Sequence, residues 1–384
     1  MSKRFEIVGS LLRPAELLMF KRQIEARADI TYPFYADFQG YEAVERKAIE
    51  EVVRKQMEAS IEVISDGEFS KSVWHLDFLW GLGGIKRYIA DRGIVFREKD
   101  GSKAFETRRD AGIEVVDKLT GKNHHFIDIF TRIKAATGDA DQQIKMCIPS
   151  PSHVYFDFIW SQNFNFEAVY ETKEALKADL LKAYQAFVVD YAKVGGTILQ
   201  LDDCRWAMFA DDNLASPFQG KDEIDTVALA KEFIELNNEL IAFAKEQGLK
   251  VWTHNCRGNY RSRHMSTGSY EKIAALFLGG QNYDRFFLEW DDDRAGSLSA
   301  LEIFKDKKAE VVLGLLSSKT STLDDEKRVL AALKEAATLI EKDRLFLSHQ
   351  CGFASTDHGN ELTEEEQWNK IEQGKKIALQ FWGE

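Results

Sequence analysis

Four side chains in the second half of the chain have the types that bind a soft divalent metal ion. His254 and Cys256 are two residues apart, so on a β-strand both would point to the same face. Glu289 and Cys351 follow, and imidazole, thiolate and carboxylate are the ligands that zinc prefers. The same His-x-Cys spacing recurs at His349 and Cys351, so His349 is an alternative ligand to His254 or Glu289. Because such a pair is also typical of a packed histidine beside a buried cysteine, the assignment depends on where these residues lie in the fold.

The elements that would position these residues alternate between short apolar runs and helical patterns. Eight runs rich in Val, Ile, Leu and Phe predict β-strands: Glu6–Gly9, Val63–Asp66, Ile144–Pro149, Thr197–Asp202, Val251–His254, Arg285–Glu289, Val311–Leu315 and Leu345–His349. Apolar residues at intervals of three and four predict helices: Tyr41–Glu62, Glu174–Lys193, Ile224–Gln247, Tyr270–Leu278, Asp324–Glu341 and Thr363–Phe381. This alternation predicts an α/β protein with a single (β/α)₈ TIM barrel over residues 1–384. A doubly wound sheet is less favoured, because no Gly-x-Gly-x-x-Gly follows the first strand.

Polar side chains follow most of the predicted strands. They are Gly9-Ser10, Asp66-Gly67-Glu68, Asp202-Asp203, His254-Asn255-Cys256, Glu289, Ser317-Ser318-Lys319 and Cys351. Barrel enzymes build their active sites from the loops at the carboxyl ends of the strands. We therefore expect these residues to converge on one mouth of the barrel.

One interval, residues 82–141, is too long for a simple connection between the second and third strands. Within it, Tyr88–Ala90 and Gly93–Arg97 predict a hairpin. Long excursions from a barrel strand often carry function. We expect residues 82–141 to form an insertion over the mouth of the barrel.

The composition excludes several classes of protein. The 384 residues carry a formal net charge of −12, and no cluster of basic residues stands out, so neither nucleic acid nor an anionic membrane is an expected partner. No apolar run approaches the roughly 20 residues that a membrane-spanning helix needs. The first residues do not resemble a signal peptide, and we expect a cytoplasmic protein in which the 4 cysteines are thiols or metal ligands. The sequence leaves open whether the chain forms a homo-oligomer.

Several short motifs recur in the order found in a known family. They are Val8-Gly9-Ser10, Asp66-Gly67-Glu68, Ile198–Asp202, Thr253-His254-Asn255-Cys256, Glu289, Val312-Leu313-Gly314 and Cys351-Gly352. With these motifs the chain resembles the C-terminal catalytic barrel of cobalamin-independent methionine synthase, and more closely its short single-barrel relatives. The matching motifs run through nearly the whole chain.

The resemblance implies a methyltransferase of methionine biosynthesis. It implies a catalytic zinc held by His254, Cys256, Glu289 and Cys351, on which the thiol of homocysteine is kept as a thiolate that attacks a methyl group. Zinc coordination suits this step, because a free thiol is largely protonated near neutral pH. The resemblance also implies that four residues bind the amino-acid end of the substrate: Gly9, Ser10, Glu68 and Asp202. Carboxylates suit the α-ammonium group, and main-chain N–H groups suit the α-carboxylate.

The methyl donor is predicted less directly. The family implies a 5-methyltetrahydrofolate-type donor, but the duplicated N-terminal barrel of the long enzymes is absent from this sequence. Where those enzymes carry a histidine that protonates the leaving group, this chain has Lys319, which we predict to be the catalytic acid. The aromatic residue that would stack on a folate is Tyr155 or Trp160.

Three alternatives stay open. The enzyme could methylate or alkylate another thiol, or take its methyl group from a corrinoid. A metal-free decarboxylase of the uroporphyrinogen type would share the barrel, but would not need two cysteines and a histidine at its rim. A zinc-binding protein without turnover would need four fixed ligands and no adjacent pocket.

The remaining cysteines and two histidines are predicted to lie outside the functional site. Cys147 and Cys204 have no partner among the motifs, and each is predicted to be a small buried residue. His124 and His125 lie in the long interval and are predicted to form a solvated surface pair.

Overall fold

A curled sheet of seven parallel strands forms the centre of the computed structural model, which describes residues 4–93, 95–97, 103–106, 108–211 and 225–383. The strands are β1 (Val63–Ile64), β6 (Gln143–Pro149), β8 (Ile198–Asp202), β9 (Lys250–Asn255), β10 (Arg285–Glu289), β11 (Glu310–Leu316) and β12 (Leu345–His349). They are hydrogen-bonded in the order β1-β6-β8-β9-β10-β11-β12. The α/β class and the curled parallel sheet are confirmed, and seven of the eight predicted strand runs match observed strands.

Helices connect these strands along the chain. They are α1 (Ala15–Ile24), α2 (Tyr41–Glu58), α3 (Leu76–Trp80), α4 (His125–Ala136), α5 (Pro151–Trp160), α6 (Lys173–Lys193), α7 (Trp206–Ala210), α8 (Thr226–Glu246), α9 (Glu326–Leu339) and α10 (Glu364–Trp382). Side chains at N-caps fix where several begin; Thr363, for example, forms a reciprocal capping box with Glu366 at the start of α10. The predicted helix at Tyr270–Leu278 is instead a 3₁₀ turn followed by a π-helical turn. No helix among the described residues is long and apolar enough to span a bilayer.

The first predicted strand, Glu6–Gly9, is an extended segment with a single bridge rather than a strand of the sheet. Phe5 pairs in parallel with Leu347 of β12, and the Glu6 N–H donates to the Leu347 carbonyl at 2.9 Å. Further along, side chains take the backbone acceptors that a neighbouring strand would use. Lys145 Nζ donates to the Ile7 carbonyl at 2.6 Å. Gln200 Nε2 donates to the Val8 carbonyl at 3.0 Å, and Ser65 Oγ donates to the Gly9 carbonyl at 3.1 Å.

An apolar cluster fills the space inside the curled sheet. Its members are Val8, Val63, Ile198, Trp252, Phe287, Val312 and Phe346, and all are buried. They come from the extended N-terminal segment and from six of the seven strands, in each case ahead of the residues that end the strand. Burying these side chains stabilises the interior, and polar residues are left at the carboxyl ends of the strands.

Between β1 and β6 the chain forms antiparallel strands outside the main sheet. β2 (Gly83–Tyr88) pairs with β5 (Gly112–Thr120), and β3 (Val95–Arg97) pairs with β4 (Lys103–Glu106). A short strand that follows β6, β7 (Phe164–Asn165), lies parallel to β5. The predicted hairpin between Tyr88–Ala90 and Gly93–Arg97 is therefore wrong, because each run finds a later partner. Ile94, residues 98–102 and residue 107 of this interval lie outside the described residues.

Candidate metal centre

Three sulfur atoms and an imidazole meet at the carboxyl ends of β8, β9 and β12. We call Cys204, His254, Cys256 and Cys351 the sulfur cluster. Cys204 Sγ lies 3.3 Å from Cys256 Sγ, and the ligand atoms of Cys204, His254 and Cys256 all lie within 4.8 Å of one another. Cys351 is not part of this group of three, but its thiol is close enough to act on the pKa of Cys256. The donor types are those of a zinc site.

Cys256 is the most acidic of the three thiols. Hydrogen bonds from Cys204 and Cys351 hold the pKa of Cys256 well below its usual range, and the charge of His254 acts in the same direction. The same contacts and burial raise the pKa of the other two thiols. Cys256 is therefore the thiolate to which the neighbouring groups are oriented.

His254 is oriented by a carboxylate. Its Nδ1 lies 3.6 Å from Asp202 Oδ1, and its Nε2 lies 3.3 Å from the carbonyl of Gln350. Burial lowers the pKa of His254, but the hydrogen bond with Asp202 and the charge of Cys256 raise it to about 9. A carboxylate on one ring nitrogen is the usual companion of a metal-binding histidine.

Glu289 ends β10 close to the sulfur cluster; one of its oxygens is hydrogen-bonded, and the other, Oε1, is buried near two cationic groups without a hydrogen bond. Oε2 accepts the Arg257 N–H at 2.8 Å, and Oε1 lies 3.1 Å from Arg294 Nη2. Lys319 Nζ is 3.8 Å from the same Oε1. Lys319 therefore lies beside Glu289 rather than among the residues that line the cavity described below.

The predicted substrate residues form a second group next to the sulfur cluster. The ligand atoms of Glu68, Asp202 and Cys147 lie within 4.8 Å of one another. Asp202 Oδ1 accepts a hydrogen bond from Gln200 at 2.8 Å, and Glu68 Oε1 lies 3.2 Å from Lys71 Nζ. Glu68 Oε2 is buried without a hydrogen-bond partner. This oxygen is suited to a cationic group of a ligand.

Ser10 is in contact with the loop that carries Cys351. Its carbonyl accepts the N–H of Phe353 at 2.8 Å, and its Oγ accepts the N–H of Ala354 at 3.2 Å. A Cβ atom on Gly352 would lie 1.9 Å from Ser10 Oγ, so only glycine allows this approach. Gly9 is similarly close to the site, because a Cβ there would be 3.2 Å from Cys147 Sγ.

Arg13 ties the first loop to the loops after β1 and β12. Its guanidinium donates to the carbonyls of Glu68 at 2.8 Å, Lys71 at 3.0 Å, Ala354 at 2.9 Å and Thr356 at 2.9 Å. Arg13 is buried. Its role in the fold is to hold these loops together rather than to bind a ligand through a free donor.

Both groups line one cavity of about 160 Å³. From the predicted site, its walls include Ser10, Glu68, Asp202, His254, Cys256 and Cys351. Arg108 and Ala111, from the interval between β1 and β6, also line it. Tyr155 and Trp160 are not among the described residues that line the cavity, whereas Trp74 is. Six of the predicted site residues therefore share one cavity, and the two aromatic residues predicted to stack on a folate lie elsewhere.

A third group was not predicted as a cluster. We call His75, His153 and Asp157 the histidine cluster; their ligand atoms lie within 4.8 Å of one another, and both histidines line the cavity. Arg205 forms an ion pair with Asp157. His153 and Asp157 lie one turn apart on α5, and this i, i+4 spacing is the only sequence signal that could have found them.

Cys204 corrects a prediction. It was expected to be an isolated buried residue, but it contacts Cys256 and lines the cavity. The strand register explains why: Asp202 of β8 pairs with His254 of β9, and Cys204 and Cys256 each follow two residues later. Cys147 is buried on β6, as predicted.

Comparison with known proteins places the chain among proteins of matching length. No protein-family model matches it. The uncharacterized protein YxjH of Bacillus subtilis is 34% identical, over 99% of this chain and 94% of YxjH. A solved Listeria monocytogenes protein assigned as a vitamin-B12-independent methionine synthase is 28% identical, with a TM-score of 0.70 over 98% of this chain and 97% of that one.

A vitamin-B12-independent methionine synthase from Shewanella sp. W3-18-1, solved with selenomethionine, has the same fold. It is 19% identical, with a TM-score of 0.67 over 98% of this chain and 97% of that one. The family resemblance of the sequence motifs is thus confirmed by likenesses that cover nearly the entire chain. The chain belongs to one family with YxjH, and its likeness to the Listeria protein relates it to the vitamin-B12-independent methionine synthases.

Proposed function

We propose that the protein is a zinc-dependent methyltransferase that converts homocysteine to methionine. The observation that carries the proposal is the shared cavity, in which the sulfur cluster lies beside Glu68 and Asp202. A soft metal ion and an amino-acid ammonium group need these two kinds of environment next to each other. The residues fit zinc, since buried thiols and an imidazole supply its preferred donors.

His254, Cys256 and Cys351 would hold the metal, and two candidates, Glu289 and Cys204, could supply the fourth protein ligand. Zinc, when bound, supplies a Lewis acid that keeps a substrate thiol deprotonated near neutral pH. Asp202 fixes the ring orientation of His254. Because Asp202 Oδ1 lies beside His254, Glu68 and the second oxygen of Asp202 are left to bind the substrate.

The chain's own residues would bind and align the amino acid. The carboxylates of Glu68 and Asp202 receive the α-ammonium group, and the main-chain N–H groups of Gly9 and Ser10 receive the α-carboxylate. The substrate sulfur then forms a bond to the methyl carbon while the bond from that carbon to the donor breaks. We assign the proton for the leaving group to Lys319, which does not line the cavity but whose Nζ is buried without a hydrogen-bond partner.

The donor would enter past the aromatic wall made by Trp74 and the histidine cluster. We propose a 5-methyltetrahydrofolate-type donor, with a corrinoid as the alternative. We further propose that residues 82–141 cover the mouth of a single barrel, because Arg108 and Ala111 reach the cavity. A thiol methyltransferase of this kind would operate in the cytoplasm, where thiols stay reduced.

A methyl-transfer assay with metal analysis tests the proposal. We expect wild-type protein to contain about one zinc per chain and to form methionine from L-homocysteine and 5-methyltetrahydrofolate or methylcobalamin. Cys351→Ser should lose both zinc and turnover. Cys147→Ser is the matched control, because Cys147 is buried outside the sulfur cluster, and it should retain zinc. Wild-type protein without zinc, or zinc that is indifferent to the thiol, would reject the proposal and favour a metal-free decarboxylase or a binding protein.

A further inference from the structure

We propose that His75, His153 and Arg205 form a subsite that recognises the methyl donor by the polar edge of a flat, uncharged heterocycle. The subsite would select a folate-type ring over a corrin. This inference rests on the proposed function, because it specifies the donor of that reaction. It gives the histidine cluster a role in binding that is separate from metal binding.

The subsite and the predicted metal ligands come from different parts of the sheet. His75 lies in the loop after β1, His153 on the first turn of α5 after β6, and Arg205 in the loop after β8. These three strands are neighbours, whereas the predicted ligands lie at the ends of β9, β10 and β12. Three of those ligands line the same cavity as the subsite. A donor held by the first part of the sheet would therefore share the cavity with a thiol held by the second.

Five polar atoms in and behind the subsite are buried without a hydrogen bond among the described residues. They are His75 Nδ1, both ring nitrogens of His153, Asp157 Oδ2 and Arg205 Nε. His153 is 3% exposed and Arg205 is 8% exposed, and both line the cavity. His153 Nε2 lies 3.6 Å from Asp157 Oδ2, too far for a direct hydrogen bond. Because buried polar atoms are nearly always hydrogen-bonded in folded proteins, these atoms are suited to a ligand with matching donors and acceptors.

The subsite has no net charge. Burial and the charge of Arg205 lower the pKa of His75 to about 3 and hold the pKa of His153 well below its usual range, so both rings are neutral near pH 7. The charge of Arg205 is balanced by its ion pair with Asp157. A neutral imidazole offers one donor and one acceptor, and Arg205 Nε offers a donor. This pattern matches a ring edge that carries both N–H groups and lone pairs, as in the amino-oxo-pyrimidine of a pterin.

The size and shape of the cavity favour a bicyclic ring over a corrin. The cavity volume is about 160 Å³, whereas pockets that enclose a drug-sized ligand measure about 300–1,000 Å³. A corrin directs its ring nitrogens to cobalt and carries its amides on side chains, so the ring itself presents no polar edge. Trp74 also lines the cavity, and its ring centroid lies 4.8 Å from that of His153 and 4.9 Å from that of His75. Aromatic faces of this kind suit a flat ligand.

Donor binding measured with and without L-homocysteine tests the subsite independently of turnover. We expect wild-type protein to bind 5-methyltetrahydrofolate in isothermal titration calorimetry. His75→Phe and His153→Phe keep a flat ring but remove its nitrogens, so each should weaken this binding by about 10-fold or more. His124→Phe is the matched control, because His124 is buried but is not among the described residues that line the cavity, and it should bind the donor as wild type does. The zinc content of all three variants should match that of wild type.

Two ring fragments test the same point on wild-type protein, in case a variant fails to fold. Tetrahydropterin carries the amino and oxo groups, and tetrahydroquinoxaline is a similar bicycle without them. We expect tetrahydropterin to compete with 5-methyltetrahydrofolate about 10-fold more strongly, because only its edge can pair with the buried nitrogens. Equal competition by the two fragments would overturn the subsite.

The outcomes separate this inference from the proposed function. Donor binding that is absent from wild type in both conditions, or that survives both cavity-histidine variants, would overturn the subsite and leave the zinc enzyme intact. Methionine formed from methylcobalamin but not from 5-methyltetrahydrofolate would do the same. Wild-type protein without zinc would instead reject the proposed function, and the fragment competition would still decide whether the protein recognises the pterin edge.

Discussion

The sulfur cluster and the histidine cluster line the same cavity and have similar spacing, but they differ in the charge placed around them. The histidine cluster has its carboxylate, Asp157, already paired with Arg205. Burial and the charge of Arg205 lower the pKa of His75 to about 3, so that ring is neutral near pH 7. Asp202, which orients His254, has an amide partner in Gln200 and no ion pair to arginine or lysine among the described residues.

The difference shows that ligand spacing alone does not make a metal site. A guanidinium beside Asp157 repels a divalent cation and competes for the carboxylate. Thiols, by contrast, give soft ions a preferred ligand and lose their protons on binding. We therefore expect metal in the sulfur cluster only, with the histidine cluster acting as a neutral, hydrogen-bonding wall.

The largest expected difference in zinc affinity is between two variants, each of which removes one member of one cluster. Cys256→Ala should lower zinc affinity by more than about 100-fold, because Cys256 is the central thiolate of its group. His153→Ala should leave zinc content unchanged. Zinc content after dialysis against a chelator measures both. Equal loss of zinc from the two variants would show that the two clusters do not differ in metal binding.

A smaller effect is expected from the carboxylates behind the two histidine rings. Asp202→Asn should weaken zinc binding by about 10- to 100-fold, because the residue that orients a metal-binding histidine contributes to that extent. Asp157→Asn, the matching change in the histidine cluster, should leave zinc binding unaffected. Competition with a chromophoric chelator gives both constants. Unchanged affinity in Asp202→Asn would show that His254 does not need the carboxylate.

The smallest effect is on stability in mild acid. Burial and the charge of Arg205 hold the pKa of His153 well below its usual range. Between that pKa and about 6.5, the unfolded chain binds a proton at this residue that the folded chain does not, so stability falls as the pH falls. From pH 7 to pH 6, His153 should account for about 0.7 kcal/mol of this loss.

Urea unfolding at the two pH values measures the effect of this histidine. In His153→Asn the difference in unfolding free energy between pH 7 and pH 6 should shrink by that amount, whatever the absolute stability of the variant. An unchanged difference would show that His153 is solvated or protonated in the folded state.

The parallel strands were predictable because buried strands are continuous apolar runs. Val311–Leu315 and Arg285–Glu289, for example, correspond to β11 and β10 with at most one residue added at either end. The first strand was not predictable in the same way. Its apolar pattern is that of a strand, but the side chains of Lys145 and Gln200 take its carbonyl groups.

The missed functional residues depend on contacts that sequence spacing does not encode. Cys204 needs the register between β8 and β9, which no local pattern reveals. The prediction for His124 was wrong for a related reason. That ring is 1% exposed, stacks on Phe78 and accepts the Phe126 N–H at the start of α4, and burial lowers its pKa to about 4. A pair of histidines in a polar stretch gives no sign of such a pocket.

The bonds made by Arg13 have a consequence for how the protein is synthesised. Its hydrogen bond to Ala354 joins residues 341 positions apart, and Cys351 lies three residues before that carbonyl. A growing chain emerges from its N-terminus, and contacts between distant residues form slowly because a long loop must close. The part of the molecule that we expect to bind metal and substrate would therefore be completed only after Cys351 and Ala354 have been translated.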